Sequence, residues 1–131
     1  KNKGSSGTLD GVTLALPALM RSEKLIKRIK RAGYELAQPE HLLERFQDKL
    51  EQNHSLVKDK DQESQNENWI GELFFMLNLL AVHLGVDTEK ALRNTNRNFE
   101  NEVINFEKYG TNEQIQFFST KLFNFLFKKK N

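Results

Sequence analysis

The 131-residue chain has no cysteine, which excludes disulfides, thiolate metal sites and cysteine nucleophiles. It has only 2 prolines and 7 glycines, too few for the frequent tight turns of a β-rich fold. No apolar run reaches the roughly 18 residues of a membrane span. The longest, Leu73 to Leu84, is interrupted by Asn78 and His83. Excess charge of one sign is missing too: 20 Lys+Arg face 18 Asp+Glu, a formal +2. Strong steering toward nucleic acid is therefore not expected. The first residues are polar, with neither a signal-peptide pattern nor a Met, as expected of a fragment of a longer protein. These absences predict a cytoplasmic protein with no membrane segment, and the length suits one core.

What is present is helical periodicity. Residues 1–15, rich in Gly, Ser and Lys, read as a flexible arm or linker, and residues 16–131 as a single helical domain. Pro17 suits a helix start; Leu19, Ser22, Leu25 or Ile26, Ile29 and Ala32 recur at helical spacing until Gly33. The opposite face carries Arg21, Lys24, Lys27, Arg28, Lys30 and Arg31. Pro39 opens a second helix with Leu42, Leu43, Phe46 and Leu50 on one stripe, fading near Val57. Ser64 and Glu67 have capping-box spacing. The helix after them, up to Gly85, is apolar nearly all round, as a central bundle helix is. Asp87 caps a fourth helix with Leu92, Thr95, Phe99, Val103 and Phe106 on its stripe. Thr111 and Gln114 open a fifth that ends in Lys128, Lys129 and Lys130. The expected fold is an all-α bundle of five helices, near 17–32, 39–57, 66–84, 88–108 and 112–128.

Generic catalytic signatures are missing. No two of His41, His54 and His83 sit four apart on a helix, as a histidine metal site would need. There is no Gly-rich phosphate loop and no nucleophile elbow. An ordered run of short motifs is present instead. It begins with Leu9-Asp10-Gly11-Val12 and Leu16-Pro17-Ala18-Leu19-Met20-Arg21, followed by Lys24-Leu25 through Arg31-Ala32-Gly33-Tyr34. Gly71-Glu72-Leu73-Phe74-Phe75, Asn78-Leu79 and His83-Leu84-Gly85-Val86-Asp87 come next. Ala91-Leu92, Asn96 and Phe99-Glu100 close it. Over residues 9–107 this order resembles the catalytic domain of the MazG nucleoside triphosphate pyrophosphohydrolases.

The resemblance implies a MazG-like helical bundle that hydrolyses NTP to NMP and pyrophosphate with Mg2+. The ion is held by two acidic pairs spaced i and i+3 on facing helices, so that each pair shares one helix face. Carried over position by position, the first pair falls on Lys49 and Gln52, and the second on Trp69 and Glu72. Only Glu72 is acidic. The family's asparagine matches Asn96, but its flanking basic residues fall on Asn98 and on Asn101 or Glu102. Glu72 and Asn96 are thus the matched catalytic positions, with Glu72 as the one matched metal ligand. The expected outcome is a degenerate site that binds no Mg2+, with Lys49 paired to Glu72 in its place, since a carboxylate buried in an apolar helix is costly without a partner, and with Trp69 filling the space of the ion.

A slipped register would use Asp48 and Glu51 with Glu72. It would turn Phe46 and Leu50 off the core face, at about 2 to 4 kcal/mol. Lys24, Lys27, Arg28 and Arg31 are candidate phosphate-binding residues for a nucleoside triphosphate. They are also the basis of a weak nucleic-acid-binding alternative. The resemblance further implies a homodimer, which Phe99, Phe106, Phe117, Phe118, Phe123, Phe125 and Phe127 support, since one small bundle can hardly bury them all.

Overall fold

The computed structural model describes residues 7–58, 60–109 and 125–127. Among them the regular structure is all helical: α1 (Ala18–Arg31), α2 (Pro39–Gln52), short 3-10 helices His54–Lys58 and Lys60–Gln62, α3 (Glu63–Leu84) and α4 (Thr88–Tyr109). Of the expected fifth helix only Phe125 to Phe127 lie among the described residues, and Phe125 and Leu126 are helical. The domain expected over 16–131 divides into two compact units, the first ending at Thr88 and the second starting at Glu89.

In the first unit α3 packs on both α1 and α2. Its core is Ile26, Leu42 and Ala81, each with under a tenth of its surface exposed. Asn78, 1% exposed, is the polar tie of this unit. Its Nδ2 donates to the Leu19 carbonyl at 3.0 Å, and its Oδ1 accepts the Thr88 hydroxyl at 2.7 Å. One amide thus joins the first turn of α1, the middle of α3 and the first residue of α4.

Two glycine stops behave as expected. After α1, Gly33 (φ +101°) donates to the Lys30 carbonyl and Tyr34 to the Ile29 carbonyl. After α3, Gly85 (φ +71°) donates to Val82 and Val86 to Ala81. Both are Schellman closures, which need the left-handed backbone that glycine adopts without a Cβ penalty.

Other boundaries differ from expectation. α2 stops at Gln52, five residues before Val57. Both the backbone N–H and the side-chain amide of Asn53 donate to the Lys49 carbonyl, a local bond that competes with the helix ladder. The capping box of Ser64 and Glu67 is not formed. The 3-10 turn Lys60–Gln62 runs directly into α3, so the cap position is Gln62 and both residues lie inside the helix. Leu43 and Leu50, expected in the core, are exposed, as are Ile70, Phe74, Phe75 and Leu77 of α3.

Residues 7–16 lie back along α1. A turn is closed by the Asp10 N–H on the Gly7 carbonyl and the Gly7 N–H on Asp10 Oδ2. Arg21 Nε donates to the Thr13 carbonyl at 3.1 Å. Arg28 Nη1 donates to the carbonyls of Thr8 at 3.3 Å and Asp10 at 2.5 Å. The segment read as an arm is therefore strapped to α1 at two points.

In the second unit, Phe99 of α4 meets Phe127, ring centroids 5.0 Å apart. The most buried residue of α4 is Glu102, which stands one turn from Phe99 on the expected apolar face. Leu92 and Phe106, expected on the buried stripe, are exposed.

Candidate functional site

The first unit holds a cavity of about 300 Å3 lined by Arg45, Asp48, Lys49 and Gln52 of α2 and by Glu72, Phe75 and Met76 of α3. Helical spacing assembles it. Arg45, Lys49 and Gln52 are four and three residues apart, as are Glu72, Phe75 and Met76, so each set shares one helix face. Lys49 Nζ donates to Glu72 Oε1 at 2.6 Å across the two helices. This is the pairing expected from the sequence, although the reason differs. Glu72 was expected to need a partner because it is buried in an apolar helix. Its side chain is 58% exposed and that of Lys49 26%, so the pair sits at the cavity mouth and is worth little in stability.

The other matched positions are placed as follows. Gln52 lines the cavity. Trp69 does not; half-buried, it donates its indole N–H to Asn66 Oδ1 at 2.8 Å. The expectation that Trp69 fills the space of an ion is thus not met, because its indole is drawn one turn back along α3. Asn96 is an exposed residue of α4, in the second unit.

Of the slipped set, Asp48 shares the cavity with Glu72, whereas Glu51 is not among the lining residues. Leu50 is already exposed, so a slip would cost about half of what the apolar stripe suggested. Among the described residues no group of three or more His, Asp or Glu side chains is arranged to hold a metal. A magnesium ion prefers several carboxylate oxygens and gives up its water reluctantly. Here it would meet two carboxylates, one of them already bonded to an ammonium, and two cations. The residues present do not fit it.

The α1 cations do not converge on this cavity. Arg28 is spent on the Thr8 and Asp10 carbonyls, and Lys27 pairs with Glu23 at 2.9 Å. Lys27 and Arg31 line a different cavity of about 510 Å3, with Lys30 and Val82, and Lys24 is absent from it. The four-residue phosphate-binding set is therefore divided, because the strap claims one member and helix rotation separates another. Arg45, Phe75 and Met76 were missed as site residues. Arg45 could have been found as the residue one turn before Lys49, and Phe75 and Met76 as those one turn after Glu72.

No family model matches the chain. Curated relatives do. Over 107 residues, 81% of the chain, it is 27% identical to a nucleoside triphosphate pyrophosphohydrolase of Escherichia coli K12, matching 41% of that protein's length. Over 99 residues, 76% of the chain, it is 26% identical to the nucleoside triphosphate pyrophosphohydrolase/pyrophosphatase MazG of Thermotoga maritima, matching 37% of its length. The chain thus spans less than half the length of the curated relatives it matches. Similarity to the MazG-type nucleoside triphosphate pyrophosphohydrolases therefore extends over about four fifths of this chain, in agreement with its ordered motifs.

Proposed function

We propose that this chain is a MazG-like helical domain in which hydrolysis of NTP to NMP and pyrophosphate is lost or strongly impaired, and whose remaining role is association with a second copy. The observation that carries the reading is the ammonium of Lys49, 2.6 Å from Glu72, at a position where the resemblance calls for a metal carboxylate. The matched residues Lys49, Gln52, Trp69 and Glu72 carry no net charge. The one cation among them, Lys49, is engaged by Glu72, so the charge developing on a transferred phosphoryl group lacks the counterion a divalent metal would supply, and that electrostatic contribution is usually the largest in such catalysis.

The test is direct. The purified chain with Mg2+ or Mn2+ should release pyrophosphate from common NTPs and dNTPs no faster than buffer alone. Metal-dependent turnover that disappears in Glu72→Ala overturns the proposal. A second reading, an active site built on Asp48, Glu51 and Glu72, is favoured by one observation: Asp48 shares the cavity with Glu72. Turnover that disappears in Asp48→Ala or Glu51→Ala would establish it.

Association is supported by the exposed apolar residues of the first unit. Leu43 and Leu50 stand seven residues apart on α2, and Ile70, Phe74, Leu77 and Leu84 follow the four-then-three spacing of a helix face on α3. Contiguous apolar faces of this kind mark interaction surfaces. Among the described residues no single helix is long and apolar enough to cross a membrane.

A further inference from the structure

We infer that the cationic side of α1, with the strap tied to it, is a docking surface for an anionic lipid bilayer. Charge is unevenly placed in this chain. α1 carries six cations, Arg21, Lys24, Lys27, Arg28, Lys30 and Arg31, against one carboxylate, Glu23, although the whole chain has a formal charge of only +2. Lys24, Lys27, Arg28 and Arg31 stand three and four residues apart and share one side of the helix. The side chains of Lys24, Lys30 and Arg31 are exposed and make no hydrogen bond or ion pair with the described residues. Lys27, also exposed, is held by Glu23 at 2.9 Å. Arg21 and Arg28 donate to neutral carbonyls of the strap, which uses their N–H groups and not their charge. The strap's one carboxylate, Asp10, accepts the Gly7 N–H.

The second observation is apolar. Leu14 is 84% exposed, more than any other large hydrophobic side chain among the described residues, and Leu9 is 41% exposed. Both are held against the cations. Arg21 Nε takes the carbonyl of Thr13, next to Leu14, and Arg28 Nη1 takes those of Thr8 and Asp10, on either side of Leu9. The Ala15 N–H on Thr13 Oγ1 closes the turn around Leu14. A single exposed leucine is ordinary. Leucines tied beside a row of cations suit a bilayer surface, where the apolar side chains enter the acyl boundary and the cations meet anionic headgroups.

Other anions fit less well. A bound phosphate needs cations that converge on one point, whereas Lys24 and Arg31 are spread over about 10 Å of helix. A nucleic-acid backbone could use the cations, but it has no place for protruding leucines, and α1 offers no aromatic ring to stack on a base. A bilayer is continuous and engages each cation separately. Attachment of this kind is peripheral, and among the described residues no single helix is long and apolar enough to cross.

The test is cosedimentation of the full 131-residue chain with vesicles of phosphatidylcholine and phosphatidylglycerol, set against phosphatidylcholine alone. Half-maximal binding to the anionic vesicles is expected within about 1 mM lipid, the range of a weak single anchor, with none to the neutral ones. Salt at about 1 M, where the Debye length is about 3 Å, should release the protein. Each cation near such a surface tightens binding about fivefold, so Lys24→Gln with Arg31→Gln should weaken it about twentyfold. Leu14→Gln should weaken it about tenfold without altering charge. All three side chains are exposed, and circular dichroism verifies the fold of each variant. Equal binding to neutral and anionic vesicles, no binding within that lipid range, or a Leu14→Gln variant that binds as the parent does would each overturn the inference. So would tighter binding to a duplex oligonucleotide than to the anionic vesicles, which would give this face to nucleic acid. The readout is independent of nucleotide turnover, so the proposed loss of catalysis stands or falls separately.

Discussion

Asn78 offers the sharpest test of how the first unit holds together. It is 1% exposed and ties Leu19 to Thr88 through both ends of one amide. Replacing it by Leu keeps the branched shape, with two methyls somewhat larger than the amide oxygen and nitrogen, and removes both bonds. Each bond is worth about 1 kcal/mol net, and leaving a buried group unsatisfied costs about 1 to 3 kcal/mol more. The Leu19 carbonyl, inside α1, still has its own helix partner, and the half-buried Thr88 can turn toward water, so the lower part of that range applies. Gained apolar burial offsets part of the loss. The expected destabilisation is about 2 kcal/mol, or roughly 7 °C in Tm for a chain of this length. Asn78→Asp should cost more, because its carboxylate would face the Leu19 carbonyl oxygen. Thr88→Val should cost about 1 kcal/mol, one bond's worth. The assay is thermal unfolding followed by fluorescence of the single tryptophan, Trp69, which lies on α3 and reports this unit. Asn78→Leu as stable as the parent would refute the reasoning, since burial alone would then account for the position.

Gly85→Ala should lower stability by about 1 to 2 kcal/mol, the cost of a Cβ at a left-handed residue, since no neighbouring atom lies within 4 Å to add a clash; equilibrium denaturation measures it. A double-mutant cycle on Lys49 and Glu72 should return at most about 1 kcal/mol, because the pair is solvent-screened, and a coupling well above that would mean a desolvated bridge. Arg28→Ala should release the strap at Thr8 and Asp10, seen as faster proteolysis or hydrogen exchange in residues 7–13 with little change in Tm. Sedimentation at about 50 μM should give a dimer mass if the association is micromolar or tighter, and Phe74→Glu with Leu77→Glu, both exposed in one chain, should yield folded monomer.

The cavity shows how far the sequence could be read and where reading stopped. Helix existence and the two glycine closures were legible because 3.6-residue periodicity and positive-φ glycines are local signals. What covers a stripe is not local. Leu42 is buried and Leu43 and Leu50 are exposed, yet all three stand on the apolar side of α2, since periodicity gives the direction of an apolar face and not its occupant. The partnership of Lys49 with Glu72 followed from carrying two acidic pairs onto facing helices, a geometric argument that survives even though the burial argument for it did not. Arg45 escaped because no resemblance pointed to it, and because one exposed arginine on a helix is ordinary. It gains meaning only when α2 packs on α3 and places it beside Lys49, Gln52 and an exposed Phe75. Three of the four matched positions carry no carboxylate, which the sequence alone shows. Only the packed helices show that two cations, one of them without a partner among the described residues, stand beside the two carboxylates of the same cavity and balance their charge.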